Sequence, residues 1–315
     1  MNVTPSVDVI AGTSGSLEHS PNGTADAQIA ALRQEYDQLR QRTDLTEVTD
    51  TVWRLARDVG GFEARVEALR QGDYPFTQSL ANGARDLRDR WPNTEGEFDR
   101  ELRDVRYDVE RSLDRVDNAM RDAERAPDEG RIDSARTEIQ SAARCLPEAQ
   151  ERLARIYERD ERDIKAMGAR LDALEWSVQQ LNAASFKLDS GEALIIAAPA
   201  EWTETTGDRR DMDGVLYLTD RRVLFEEKER TGAFLGLFGG RKQQALTWAV
   251  ALNDIEDVSG EDRGILGTHH MLYLSSRPGA EPAKITIEIK RSADNPEWVA
   301  FIRQAKAGGY EPELR

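Results

Sequence analysis

The chain has a single cysteine, Cys145, among 315 residues. It can close no internal disulfide and supply no thiolate cluster for a metal. A reducing, cytoplasmic setting is the simplest reading. Histidine is nearly as scarce, with three residues, and two of them, His269 and His270, are adjacent. On a strand they would point to opposite faces, so they form no ligand or catalytic pair. No run of 18 apolar residues occurs, so no transmembrane helix is expected. Residues 1–23 lack the basic start and apolar centre of a signal peptide; rich in Ser, Thr, Gly and Pro, they read as a disordered tail. Positive charge is in deficit: 43 Lys and Arg against 59 Asp and Glu leave a net charge of −16. Both halves of the chain are acidic. Nucleic acid is therefore not an expected partner, and wholesale binding to anionic lipid is disfavoured.

What is abundant is charge laid over helical periodicity. Thr24 or Asp26 can cap a first helix, with apolar residues at Ile29, Leu32, Tyr36 and Leu39. A second stripe, out of phase with the first, runs through Leu45, Val48, Val52, Leu55, Val59, Phe62, Val66 and Leu69. Its alternating steps of three and four place every member on one face. The slip in phase predicts a break near Thr43, and Gly60-Gly61 is a weak point within the second run. Gly72 to Pro75 ends it. A short helix is expected over Phe76 to Trp91, stopped by Pro92. Thr94-Glu95-Gly96-Glu97 then reads as a capping box, opening a stripe from Phe98 to Ala123. A turn at Pro127 precedes the longest stripe, Ile132 to Leu181. Pro147 is expected to bend it, and Asp160 interrupts its seam. A helix from Asp128 to Ala184 would be roughly 85 Å long. Such elements form an extended antiparallel bundle, or a coiled coil with a partner chain. The seam is thin at Ala135, Ala142 and Ala149, which leaves homo-oligomerisation through the helices open.

The pattern changes at Phe186. Strands read at Ala193–Ala198, Gly214–Asp220, Arg222–Phe225, Gln244–Leu252, His270–Ser275 and Lys284–Lys290, several with the period of two that marks a half-buried strand. Arg209 to Gly214 reads as a turn. Asn295-Pro296-Glu297 opens a last helix with Trp298, Phe301, Ile302 and Ala305 on its apolar face, and Gly308-Gly309 stops it. The division is thus a tail over 1–23, helices over 24–185, a β domain over 186–309 and a tail over 310–315. The fold class is α + β in separate domains.

A set of residues in the β half carries a resemblance. Gly191 and Glu192 precede the first strand. Gly214, Leu216, Leu218, Thr219, Asp220, Arg222, Val223, Leu224 and Phe225 spell G-x-L-x-L-T-D-x-R-V-L-F. Leu252, Asp254, Ile255 and Val258 follow, with Trp298 on the terminal helix. Over about 125 residues this resembles the bacterial PH-like, GRAM-type domain. The resemblance implies a strongly bent sheet of seven strands capped by the terminal helix. It implies lipid or protein binding and no catalysis. The helical half carries no resemblance.

One segment stands out as a candidate binding site. Lys228 and Arg230, then Phe234, Leu235, Leu237 and Phe238 among glycines, then Arg241 and Lys242, put large apolar side chains between basic flanks. At a hairpin tip such side chains can enter the acyl boundary of a membrane while the cations meet headgroups. Half-burying four of them contributes roughly 3–6 kcal/mol. The same residues can instead dock a protein or fold back onto the sheet. Other motifs fail. Gly236 to Lys242 lacks the glycine before lysine, and the Ser or Thr after it, that a phosphate loop needs. Asp211 to Gly214 has a calcium-loop flavour but the wrong first position and context. Cys145 has no nearby histidine. The expected role is a non-catalytic adaptor with no cofactor, in which the helices assemble and the PH-like domain binds a protein. The alternative is a peripheral membrane protein at the inner face, using the Phe234–Phe238 loop.

Overall fold

The computed structural model describes residues 21–42, 45–203, 211–228, 244–263, 269–290, 295–308 and 310. Helices α1 (Pro21–Arg42), α2 (Thr46–Gln71), α3 (Gln78–Arg125) and α4 (Glu129–Asn182) come first. Strands β1 (Leu194–Thr203), β2 (Asp211–Thr219), β3 (Arg222–Lys228), β4 (Gln244–Ala251), β5 (Ile255–Arg263), β6 (His269–Ser276) and β7 (Lys284–Ile289) follow, then α5 (Asn295–Lys306). The chain forms two compact units, one of residues 1–50 and 96–156, the other of 51–95 and 157–315. The division falls within the helices rather than at the start of the sheet.

In the first unit, Leu32, Tyr36 and Leu39 of α1 pack with Val116, Met120 and Ala123 of α3 and with Ile132, Ala135, Ile139 and Ala142 of α4. The stripes expected from the sequence are buried within the chain itself. Ion pairs Arg115–Glu138 and Arg152–Glu101 join rising to falling residue numbers, so α3 and α4 run antiparallel. Burial pushes the Tyr36 hydroxyl up to about 12, aided by Asp117. The expected turn at Pro127 is present, and the Asp128 carboxylate caps α4 by accepting the Arg131 N–H at 2.9 Å. The first helix starts at Pro21, ahead of the Thr24 or Asp26 cap expected, with proline at a first-turn position where its missing N–H costs nothing.

In the second unit, α2, α3 and α4 bury Leu55, Val59, Phe62, Val66, Leu80, Leu87, Trp91, Ile164, Leu171 and Leu174. Here the sequence expectation at Pro92 is overturned. Helix α3 runs without interruption through it. Pro92 is exposed, where water can satisfy the carbonyl left without a donor, while Leu87 and Trp91 of the preceding turns are buried. The capping box is overturned with it. Thr94 lies inside the helix, and its hydroxyl donates to Asp160 Oδ2 at 2.5 Å. Asp160 also pairs with Arg90 at 3.1 Å, so this carboxylate is held in the seam rather than interrupting it. Gly60-Gly61 does not break α2.

The sheet is antiparallel with strand order β4-β3-β2-β1-β7-β6-β5. Its core joins residues of every strand to Trp298, Phe301, Ile302 and Ala305 of α5. Strand β1 is also covered on its other side. Leu194 and Ala197, with Val215, Tyr217 and Leu224, pack against Trp176, Leu181, Ala184, Phe186 and Leu188. That double cover explains the unbroken apolar run at the start of β1. The sequence reading missed β5, because only Ile255 and Val258 are buried in a strand otherwise exposed. It also read Asp211–Gly214 as a turn, whereas these residues pair with Thr203–Ala200 in β2. A Cβ on Gly214 would lie 2.2 Å from the Glu226 carbonyl oxygen, so this crossing of β2 and β3 requires glycine.

Candidate interaction site

Of the candidate loop residues, Arg230, Phe234, Leu235, Leu237, Phe238, Arg241 and Lys242 lie outside the described residues. Lys228 is described, and its ammonium donates to Gln180 Oε1 at 2.8 Å and lies 3.4 Å from Glu226 Oε2. It therefore belongs to a joint between the end of α4 and the sheet.

That joint is polar at its centre. The Ser177 hydroxyl accepts the Ala197 N–H at 2.8 Å, and the Tyr74 hydroxyl donates to the Ile195 carbonyl at 2.9 Å. Strand β1 is thus tied to α4 and to the segment after α2. Glu226 is fully buried. It accepts the Ser185 N–H at 2.5 Å, the Tyr217 hydroxyl at 3.0 Å and the Gln244 amide at 3.0 Å. Burial alone would raise its carboxyl, but the donors from Ser185, Gln244 and Tyr217 hold it below the usual carboxylate value. The Tyr217 hydroxyl is driven up strongly, by burial first and by Glu226 second. A separate aromatic group, Phe76, Phe301 and Tyr310, meets edge to face, with the Arg170 guanidinium 4.7 Å over the Phe301 ring.

The residues that carry the family resemblance form a second buried polar group. Glu192 accepts Arg222 Nε and Nη2 at 2.8 Å each, the Thr219 hydroxyl at 2.7 Å and the Asp189 N–H at 2.8 Å. Asp220 accepts the Ala193 N–H at 2.8 Å. Gly191 has φ +73°, which only glycine adopts without strain. Burial works against the charged form of Glu192, and the bonds from Arg222, Asp189 and Thr219 overcome it, lowering its pKa. These motif residues build the β2–β3 hairpin and its junction with β1. Much of their hydrogen-bonding capacity is used on one another.

Sequence reasoning missed an open face on the helices. Residues 57–65 of α2 and 164–172 of α4 border a groove of about 550 Å³. Gly61 and Gly168 line it. A Cβ on Gly60 or Gly61 would meet nothing within 4 Å, and one on Gly168 only the Phe62 ring at 3.9 Å. On the same helix Trp53 is 69% exposed. The signals were present in the sequence as a tryptophan off the apolar stripe and a glycine pair in mid-helix.

The two adjacent histidines are held apart on β6. His269 bonds Glu288 and His270 bonds Asp262, each at 2.9 Å and toward different neighbouring strands. Among the described residues no group of three or more His, Cys, Asp or Glu is placed to hold a metal. Cys145 is half-buried on α4. No described helix is long and apolar enough to cross a membrane.

No family model matches the chain. No curated protein matches it either. Among solved structures it is similar to the Vps36 N-terminal PH domain, at 16% identity and TM-score 0.28, over 38% of this chain and 83% of that one. It is also similar to a structure of Vav1 bound by an allosteric inhibitor, at 13% identity and TM-score 0.31, over 90% and 84%. A third is the DH/PH domains of PDZ-RhoGEF in complex with activated RhoA, at 11% identity and TM-score 0.31, over 84% and 93%. The PH-like fold of the sheet domain stands on its own strand order and closing helix.

Proposed function

We propose that this protein is a non-catalytic adaptor that holds a PH-like domain on a helical stem and docks a protein partner. The sheet domain is read as the GRAM-type variety found in bacteria, on its T-D-x-R-V-L-F core. The observation that carries the protein reading is the open α2 face. Trp53, Arg57, Gly60 and Ala64 fall on one stripe of α2 at helical spacing. Exposed tryptophan and arginine are the residue types that dominate protein interfaces. Gly60 and Ala64 keep the stripe low beside them, and both are exposed. The glycines at 60 and 61 cost helix stability, roughly 1 kcal/mol each, with no return from packing inside the chain. A helix approaching closely over Gly60 and Gly61 supplies that return. A second copy is a poor occupant. Symmetric antiparallel pairing that sets Trp53 over Gly60 centres between Ala56 and Arg57 and brings the two Arg57 guanidinium groups close together. A partner helix with a carboxylate at that point fits better.

A photo-crosslinking residue at position 57, in the cells that make the protein, tests this reading. The expected result is one discrete protein adduct, lost when Gly61→Arg fills the groove. An adduct indifferent to Gly61→Arg, or none, overturns it.

The second reading is a peripheral membrane protein, and the composition of the 230–242 segment favours it. The cytoplasm is the proposed setting, with the inner membrane face as the site of action in this second case. Sedimentation with anionic liposomes decides. Binding that disappears on deletion of residues 232–240 supports the membrane reading, and its absence in the parent removes it. High salt weakens a basic flank on lipid and leaves an apolar protein dock largely intact.

A further inference from the structure

The two described residues that flank positions 229–243 reach the same place. Lys228 ends β3 and donates to the Gln180 side chain at 2.8 Å. Gln244 opens β4 and donates to the Ala183 carbonyl at 2.7 Å and to Glu226 at 3.0 Å. Gln180 is in the last turn of α4, Ala183 follows the helix directly, and Ser185 just beyond donates its N–H to the same Glu226. Tyr217 completes the set: its hydroxyl donates to Glu226 at 3.0 Å and stands 3.3 Å from the Gln180 carbonyl oxygen. One carboxylate without exposed surface therefore gathers the end of the stem, Tyr217 of β2 and the near ends of β3 and β4.

Adhesion alone does not call for this arrangement. Trp176, Leu181 and Phe186 already bury an apolar layer against the sheet. A buried carboxylate is costly unless its donors are in place, so loss of one donor loosens the hold on the others. An apolar layer tolerates small slips of the helix, whereas a buried charge with several donors does not. The geometry points to Glu226 as a positioning residue that couples the end of the helical stem to the ends of β3 and β4. The Gln180 side chain holds the Lys228 ammonium, which lies 3.4 Å from Glu226 Oε2, so a change at Gln180 reaches Gln244 through Lys228 and the carboxylate. The coupling is independent of what the protein binds, so it stands or falls separately from the adaptor reading.

Amide hydrogen exchange on the full chain reads the coupling without any ligand. In the native background Gln180→Ala is expected to speed exchange of residues 244–246 about fivefold. In a Glu226→Gln background the same substitution is expected to add nothing. Exchange in α5 and β5 serves as the control and is expected to stay unchanged. Equal acceleration in both backgrounds overturns the coupling, and so does no acceleration in the native one. If Glu226→Gln does not fold, Gln244→Ala takes its place: it removes the far spoke, and the effect of Gln180→Ala on residues 245 and 246 is expected to vanish. Persistence of the effect there has the same overturning force.

Discussion

The helices and the sheet domain keep their charges in opposite ways. Along the helices most ion pairs are at the surface. Arg152–Glu101, Arg88–Glu63 and Arg115–Glu138 each leave both side chains partly open to solvent. In the sheet domain Glu192 and Glu226 are carboxylates with no exposed side-chain surface. The helical part is specified by apolar stripes, and most of its charges face water, with Asp160 held in the seam as an exception. The sheet domain is specified by a few saturated polar groups at places where strands and helix must meet in one register.

Removing one charge from each region gives the largest expected contrast. Glu192→Ala removes the buried partner of Arg222, leaving only Asp189 at 3.7 Å, and is expected to cost about 3 kcal/mol. Arg152→Ala removes an exposed pair and is expected to cost under about 1 kcal/mol. Chemical denaturation of both variants measures the difference, and equal losses break the comparison.

Acid sharpens it. Glu192 and Glu226 have folded pKa values below the ordinary 4.5, so the folded state binds their protons more weakly than the unfolded chain. Their contribution is fully present above about pH 4.5 and is lost as pH falls through the depressed folded values. Stability measured from about pH 6 down to about pH 2 is expected to fall less steeply in Glu192→Gln than in the native chain. Parallel curves contradict this.

Smaller effects are expected on the helices. Pro92→Ala restores a missing donor at an exposed position and is expected to gain about 1–3 kcal/mol in unfolding free energy. A loss there would mean that α3 needs the proline locally. Gly60→Ala is expected to gain about 0.5–1 kcal/mol, since its Cβ meets nothing. The same substitution is expected to weaken the crosslink from position 57.

The sequence made the helical stripes readable because every buried position obeys one period. Leu55, Val59, Phe62 and Val66 were placed correctly for that reason. It misjudged Pro92 and Thr94 because the burial of neighbouring turns outweighed a local stop signal and a local cap. The α5 face and most strands were readable, while β5 was not, having two buried residues and no alternation. Of the candidate site, Lys228 was singled out for a basic flank, but it bonds Gln180 of α4, 48 residues earlier in the chain, and lies beside the buried Glu226. The Glu226 group was invisible, since nothing in the spacing of Gln180, Ser185, Tyr217 and Gln244 announces that they converge. The motif residues Glu192, Thr219, Asp220 and Arg222 were noticed for their resemblance, and their role is to hold the hairpin together.

The bonds from Ser177 and Tyr74 to β1, and from Ser185 to Glu226, tie the end of α4 and the first strands of the sheet into one cooperative structure. Native-state hydrogen exchange on the full chain tests it most directly. Residues 171–181 of α4 and the paired amides of β1 and β2 are expected to open with the same free energy and lose protection together under mild denaturant. Exchange of the α4 segment about tenfold or more faster than β1 and β2 would show a stem that merely rests on the sheet, and would contradict the account.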